Sequence, residues 1–277
     1  MPEIEDLRPA HLPQAFSLAR GELWPHRMED WQMMLSLGSG HALIHKGNVI
    51  GTVLVWWQGA RQTTLGMVLV HRDHRGRGHG RRLVEAALAP MADHHIMLQA
   101  TDDGLALYYA CGFRAIGSIR QCQGVPTQRF STPDEITPEP FDPSDLDALI
   151  VYDGRARGWT RRALLTELTV RGSAWVVRDG ATFLGYAVAR RFGHGVVIGP
   201  IAAQDGTIAR ALIARIAEDH PKTFLRIDTD PDLGLVPWLA DHGLIPVGEA
   251  ATMVKGSAVA AGPGDPRLFG LASQALL

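Results

Sequence analysis

Apolar residues recur along this chain with two different spacings, and those spacings appear in the same order in both halves. A repeat of three to four residues predicts a helix, and a repeat of two predicts a strand. In the first half, strands are predicted at residues 4–7, 41–46, 49–57, 64–70, 95–100 and 113–122. Helices are predicted at residues 11–20, 27–37, 81–91 and 105–111.

The second half repeats this order. Helices are predicted at residues 146–152, 161–168, 207–217 and 233–240, and strands at residues 174–178, 183–190, 196–201, 224–228 and from 244 onward. A shared element order of this length indicates duplication of an α/β unit. The proline-rich stretch 125–143 predicts a linker, which gives domains at 1–124 and 144–277. Residues 267–273 are apolar enough to dock onto the folded chain.

Composition and charge narrow the classes of function. The chain has 277 residues and a formal net charge of −2, so it has no general basic field for nucleic acid. Its two cysteines, Cys111 and Cys122, do not suggest a disulfide framework. The first residues lack a signal-like apolar stretch, and no apolar run is long enough to cross a bilayer. We therefore expect a cytoplasmic protein that acts on neither membranes nor nucleic acid.

A glycine-rich loop carries the strongest chemical signal. It follows the predicted strand 64–70 and contains Gly76, Gly78 and Gly80. Glycine permits a positive φ and close approach of another group, and the free N–H groups at the start of the next helix favour an anion. Four arginines add positive charge: Arg75, Arg77, Arg81 and Arg82. The loop predicts a pyrophosphate site.

Three phosphate-binding interpretations compete. A Walker loop would end in Gly-Lys-Ser/Thr, whereas this loop ends in Gly-Arg-Arg. A dinucleotide fingerprint would need a different glycine spacing, although Asp102 and Asp103 do follow the next predicted strand. The third interpretation is an Arg-x-x-Gly-x-Gly loop, formed here by Arg75, Gly78 and Gly80.

The third interpretation gains support from the surrounding sequence. The loop resembles that of the GNAT acyltransferases, and Leu107-Tyr108-Tyr109-Ala110-Cys111-Gly112-Phe113 resembles the Leu-Tyr-x-x-x-Gly-Phe segment of the same family. Trp24-Pro25, Asp30-Trp31 and Gly51-Thr52 resemble a tandem branch of that family. The resemblance covers nearly the whole chain. It implies an α/β (α+β) fold of two tandem GNAT-like domains, each with a mixed, largely antiparallel central sheet flanked by helices.

The resemblance also implies a site and a reaction in the first domain. Acetyl-CoA would be the co-substrate and a primary amine of a small molecule the acceptor, with direct attack in a ternary complex. Tyr108 would be the proton donor to the departing thiolate and would contact the coenzyme. The other expected coenzyme-binding residues are Val68, Leu69, Val70, Arg75, Gly76, Arg77, Gly78, His79, Gly80 and Arg81. The expected acceptor contacts are Trp24, Asp30, Trp31 and Trp56.

Several points stay open at this stage. Glu22, Glu29 and Asp30 are candidates for the general base, and a water chain is an alternative. The histidines at 71, 74 and 79 lie in the phosphate loop, and we expect no metal there. A non-catalytic acyl-CoA-binding module and an acetyltransferase acting on a protein or peptide amine are the rival functions. The sequence indicates no particular oligomeric state.

The second domain lacks the same signals. Its equivalent strand leads through Pro200 to Asp205, which places negative charge where phosphate would sit. Aligning Gly243 of the second domain with Gly112 of the first places Leu239 opposite Tyr108. We therefore expect a non-catalytic copy that shapes the substrate cleft.

Overall fold

The computed structural model describes residues 1–59, 61–131, 136–257 and 261–277, so residues 132–135 of the predicted linker lie outside the described part. The strands are β1 Glu3–Asp6, β2 Ser39–His45, β3 Asn48–Gln58, β4 Gln62–Val70, β5 His95–Ala100, β6 Arg114–Gly124, β7 Glu139–Pro140, β8 Ser173–Asp179, β9 Thr182–Phe192, β10 Gly195–Ala203, β11 Leu225–Thr229, β12 Ile245–Lys255 and β13 Arg267–Gly270. The helices are α1 Leu12–Gly21, α2 Met28–Leu37, α3 His79–Leu88, α4 Asp102–Ala110, α5 Leu146–Arg157, α6 Arg162–Arg171, α7 Gly206–Asp219 and α8 Val236–Asp241.

The chain forms two compact units, called unit 1 and unit 2 here. Unit 1 contains Met1–Ile116 and a stretch that begins at Thr252, and unit 2 contains Gly117–Ala251 and most of the later tail. The predicted mixed, mostly antiparallel sheet flanked by helices is confirmed.

In unit 1 the strands β1, β2, β3 and β4 pair antiparallel in that order, and β4 pairs with β5 in parallel. Helices α1 and α3 both pack on β3 and β4. The buried residues of α3 include Leu83, Val84 and Ala87, at the spacing that places them on one helical face. This packing fixes where the first turn of α3 lies relative to the end of β4.

Unit 2 repeats the arrangement. Strands β8, β9 and β10 pair antiparallel, β10 pairs with β11 in parallel, and β11 pairs antiparallel with β6. Helix α7 buries eight residues, which form much of this unit's core with β9 and β10. The equivalence of the two units extends to single bonds, because Phe113 N donates to Tyr108 O and Leu244 N donates to Leu239 O.

The last strand of each half of the sequence begins in one unit and ends in the other; these strands are β6 and β12. From Gly117 onward β6 belongs to unit 2, where Arg120–Gly124 pair with β11. From Thr252 onward β12 belongs to unit 1, where Thr252 Oγ1 donates to Gln99 Oε1 of β5 at 3.1 Å. The structural boundary therefore differs from the predicted one at residue 124. The reason is that backbone ladders join β6 to a strand about a hundred residues later, which no local pattern reveals.

Candidate active site

Strands β4 and β5 run side by side only at their beginnings. Their register ends at Thr64 opposite Met97, whereas β4 continues to Val70. Beyond Thr64 the edge of β4 that faces β5 has no strand partner in the register. The two strands therefore diverge and leave a groove along the second half of β4.

Within this groove, β4 contains one extra residue. Thr52 pairs with Leu69 and Leu54 pairs with Gly66, so Val53 alone opposes both Met67 and Val68. This is a β-bulge, and Met67 adopts a left-handed conformation in it with φ of +52°. Because position 67 is a methionine and not a glycine, the sequence pattern does not predict this bulge.

The backbone of β4 directs hydrogen-bond donors into the groove. His71 N donates to Ile50 O on β3 at 2.8 Å. Since antiparallel residues alternate between pairs that exchange hydrogen bonds and pairs that do not, the Val70 N–H faces the opposite edge, where β5 has diverged. Val68 lies in the bulge, but the Met67 carbonyl accepts a hydrogen bond from Thr52 Oγ1 on β3, so in the planar Met67–Val68 peptide the Val68 N–H also points away from β3. Of the three β4 residues expected to hold the coenzyme arm, Val68 and Val70 carry N–H groups with this direction.

The glycine loop leads directly to the first turn of α3. Gly78 is the residue before the helix, with φ of +76°, and no side chain caps the helix N-terminus. Apart from the adjacent residues of the chain, no described atom would lie within 4 Å of a Cβ at Gly76 or Gly78, and one at Gly80 would meet Leu107 Cδ2 at 3.3 Å. The unpaired N–H groups and partial positive charge of α3 therefore face space large enough for an anion.

The arginines of the loop differ in what they contact. Arg75 Nε donates to Val70 O at 3.0 Å, and its Nη2 lies 2.5 Å from Glu22 Oε1. Arg81 pairs with Glu85 one turn along α3 at 2.7 Å. Arg75 thus fixes the end of β4 to the loop, and Arg81 is held on its own helix.

Tyr108 lies on α4 and is buried, whereas the adjacent Tyr109 is exposed. The Tyr108 ring contacts the Phe113 ring edge-on at 5.8 Å between centroids, and a Cβ at Gly104 would lie 2.9 Å from Tyr108 Cε2. Burial raises the pKa of Tyr108 well above its usual value, so its hydroxyl keeps its proton through neutral pH. Of the two neighbouring tyrosines, Tyr108 therefore faces inward.

A cavity of about 620 Å³ lies at the end of β4 on the side of α1. Its lining is α1, the turn between β2 and β3, and the start of the glycine loop. The charged or imidazole side chains in this lining are Glu22, His45, Lys46, His71, Arg72 and His74. Its volume is that of a small-molecule site.

Several histidine rings of this region lie near one another. The ring of His74 lies 5.4 Å from that of His45 and 6.4 Å from that of His79. Burial, together with neighbouring positive charge, lowers the pKa of His45 and of His79. Within the described residues, no group of three or more histidine, cysteine or acidic side chains is arranged to hold a metal ion.

Three of the expected acceptor contacts are core residues. Trp31 and Trp56 are 0% and 1% exposed, and Trp56 Nε1 donates to Met34 O at 2.9 Å. Asp30 is buried and accepts a hydrogen bond from the Arg27 backbone N–H at 2.8 Å, which caps α2. The contacts that the structure gives these three residues are packing and capping contacts. Trp24 is partly exposed.

In unit 2 the equivalent groove is filled by the chain itself. The register of β10 with β11 ends at Val197 opposite Arg226, and β13 then pairs antiparallel with β10 at Ile201–Ala203. Leu271 N donates to Asp228 O at the end of β11. The contact is so close that a Cβ at Gly199 would lie 1.9 Å from Leu271 O. Docking of residues 267–273 was predicted, but its position between two diverging strands was not.

The first turn of α7 is also occupied. Asp205 Oδ1 accepts hydrogen bonds from Thr207 N at 2.8 Å and from Ile208 N at 3.0 Å. The carboxylate therefore uses the donors that α3 leaves free. Leu239, the equivalent of Tyr108, is fully buried on α8. Among the described residues of unit 2, the groove beside β10 is thus filled and the N-terminus of α7 is capped.

No helix in the described ranges has both the length and the apolar character needed to cross a membrane.

Comparison with known proteins agrees with this geometry. The profile described as "Acetyltransferase (GNAT) family" matches residues 4–113, and the one described as "Acetyltransferase (GNAT) domain" matches residues 149–266. A curated relative from Bacillus subtilis (strain 168), the uncharacterized N-acetyltransferase YitH, is 27% identical over 222 residues, which is 78% of each chain.

Two solved structures share the fold. A putative acetyltransferase from Pyrococcus horikoshii superposes with a TM-score of 0.80 at 17% identity, covering 100% of this chain and 96% of that chain. A tandem GNAT protein from the clavulanic acid biosynthesis pathway superposes with a TM-score of 0.62 at 14% identity, covering 92% of this chain and 100% of that chain. With a GNAT domain matched in each half and a tandem GNAT among its structural neighbours, the chain belongs to the GNAT family of N-acetyltransferases.

Proposed function

We propose that unit 1 transfers an acetyl group from acetyl-CoA to a primary amine of a small molecule. The observation that carries this proposal is the bulged end of β4, which directs N–H groups into an open groove beside the uncapped N-terminus of α3. A thioester carbonyl and a pyrophosphate need these two kinds of donor, at the two ends of one extended arm.

The coenzyme would lie along β4 and end at the loop. The N–H groups of Val68 and Val70 would hold the pantetheine arm and the thioester carbonyl. The pyrophosphate would bind at Gly76–Gly80 and the first turn of α3, where the glycines leave space for it. Arg75, Arg77, His79 and Arg81 border this place and supply charge or further donors.

The reaction balances without a covalent enzyme intermediate. The neutral amine nitrogen attacks the acetyl carbonyl carbon, and a C–N bond forms as the carbonyl oxygen takes negative charge. A backbone donor on β4 stabilises that oxygen. Collapse breaks the C–S bond, the thiolate receives a proton from the Tyr108 hydroxyl, and the nitrogen loses a proton to water, which returns a proton to the Tyr108 phenolate. Holding both reactants in one site offsets about 7–11 kcal/mol of the barrier.

A small acceptor is supported by the cavity at the end of β4, whose volume suits a metabolite and whose lining includes charged and imidazole side chains. Unit 2 would bind no coenzyme, because β13 fills its groove and Asp205 caps α7. In this proposal one chain carries one acetyl-CoA site.

Calorimetric titration of acetyl-CoA into the full chain tests the coenzyme site, with Gly78→Asp as the diagnostic variant. An aspartate there brings a carboxylate to the N-terminus of α3, as Asp205 does on α7. We expect the affinity for acetyl-CoA to fall at least about a hundredfold, because the variant adds like charge and occupies the donors.

The matched control is Gly180→Asp, since Gly180 also has a positive φ and open space around its Cβ but lies in a turn of unit 2. We expect the control to bind like the wild type. A panel of small amines, assayed by thiol release from acetyl-CoA, then tests transfer. A wild-type chain that binds neither acetyl-CoA nor CoA would refute the proposal.

A further inference from the structure

The left-handed residue in the bulge of β4 is held by one side chain. Thr52, on β3, donates from its Oγ1 to Met67 O at 2.8 Å, and both residues are buried. The β3 register gives Met67 no opposing residue of its own. The Thr52 hydroxyl therefore takes the place of the ladder partner that the bulge removes from this carbonyl.

A non-glycine residue with positive φ is strained, and such strain persists only where the surroundings determine the conformation. Met67 has no freedom to relax, since its side chain is buried and its carbonyl is bonded to Thr52. The peptide that joins Met67 to Val68 contains both that carbonyl and the Val68 N–H. Because a peptide unit is planar, fixing the carbonyl on one side fixes the direction of the N–H on the other.

We propose that Thr52 is a positioning residue for acetyl transfer, whose hydroxyl holds the Met67–Val68 peptide so that the Val68 N–H points at the thioester carbonyl. This proposal rests on the proposed function of unit 1. Thr52 contacts neither reactant and acts only through the peptide it holds.

The test compares Thr52→Val, which keeps the shape and loses the hydroxyl, with Thr52→Ser, which keeps the hydroxyl. Thr64→Val is the matched control, because Thr64 is also a buried threonine of this sheet and its hydroxyl has no hydrogen-bond partner among the described residues. All four proteins are first titrated with acetyl-CoA and melted, so that loss of binding or of folding is seen separately.

The main readout is the infrared carbonyl stretch of bound acetyl-CoA labelled with ¹³C at the thioester carbon, which needs no acceptor. A hydrogen bond to that oxygen lowers its frequency. We expect the lowering seen with wild type to shrink in Thr52→Val and to persist in Thr52→Ser and Thr64→Val. With an accepted amine, kcat of Thr52→Val should fall by about tenfold to a hundredfold while KM for acetyl-CoA changes less than about twofold.

An unchanged carbonyl frequency and kcat in Thr52→Val would overturn the assignment. So would equal losses in Thr52→Val and Thr52→Ser, or a loss of acetyl-CoA binding that accompanies a lowered melting temperature, since these mark a structural role. Failure of the proposed function is distinguishable from all of these, because then the wild-type protein itself binds no acetyl-CoA.

Discussion

Glu22 Oε1 and Arg75 Nη2 lie 2.5 Å apart, and this ion pair joins the residue after α1 to the loop before α3. The hydrogen bond from Arg75 is the largest cause that lowers the pKa of Glu22 from its usual 4.5, and it outweighs the opposing effect of burial. A carboxylate stabilised in its charged form and already paired is a weak proton acceptor.

Glu22→Gln should therefore leave turnover nearly intact. A general base typically contributes about 10²–10⁴-fold, so a loss of less than about threefold in kcat excludes this role. The measurement is kcat against pH for the variant and for Glu29→Gln, an exposed glutamate of α2 that serves as control. A hundredfold loss with a displaced acid limb would identify Glu22 as the base.

The same pair predicts a pH dependence of stability. Because folding lowers the pKa of Glu22, its contribution is present above about pH 4.5 and is lost as the pH falls through the lower folded value. Both side chains are partly exposed, so the contribution is at most about 1 kcal/mol. Wild type should melt slightly above Glu22→Gln at pH 7, and the two melting temperatures should converge once the pH falls below the folded pKa of Glu22.

Tyr108→Phe should lower kcat by about 10²-fold or more and leave the KM for acetyl-CoA unchanged, because only the departing thiolate needs the proton. The burial that raises the pKa of Tyr108 keeps the proton available across the assay range. Tyr109→Phe, on the exposed face of α4, is the control and should behave as wild type. A fully active Tyr108→Phe enzyme would remove this residue from the mechanism.

Binding stoichiometry should be one acetyl-CoA per chain. Asp205→Ala frees the N-terminus of α7, which should cost about 1 kcal/mol of stability, yet the groove stays filled by β13 and no second site should form. Asp230→Ala removes a comparable cap elsewhere in unit 2 and serves as control. Two sites in calorimetry, in either the wild type or Asp205→Ala, would contradict the description of unit 2 as a closed copy.

Unit 2 depends on a buried ion pair. Arg161 donates to both carboxylate oxygens of Asp153 at 2.8 and 2.9 Å, and Tyr186 Oη donates to the same group at 2.5 Å. Arg161→Met should destabilise the protein by about 3–5 kcal/mol in urea unfolding, since it leaves Asp153 charged and without its main partner. The neighbouring Arg162→Met breaks an exposed pair with Asp147 and should cost less than about 1 kcal/mol. Equal costs would contradict this distinction.

The sequence predicted the order of the elements, the glycine loop and the loss of the loop in unit 2, because each depends on local spacing or on single residue types. Asp205 is an example, since the sequence places its negative charge before the helix, and the structure adds that its carboxylate caps α7. Trp31 and Trp56, which the sequence suggests as acceptor contacts, lie in the core. An aromatic residue on a helix or strand has the same local pattern whether it borders a cleft or fills a core.

The features that the sequence did not predict depend on distant pairings. Met67 takes its left-handed conformation because β3 and Thr52 constrain it, and its own residue type disfavours that conformation. The exchange of β6 and β12, and the position of β13, arise from ladders between strands far apart in the chain.

In unit 2, β13 fills the groove as part of the chain. In unit 1, the equivalent groove is proposed to bind acetyl-CoA from solution. A ligand that binds only the folded state stabilises it by an amount that grows with its free concentration, about 2.7 kcal/mol at a hundred times Kd. Because β13 belongs to the same chain, its effective concentration at the groove of unit 2 is fixed. If unit 1 binds acetyl-CoA as proposed, its groove would be filled only while the coenzyme is present, whereas β13 fills the groove of unit 2 at any coenzyme concentration.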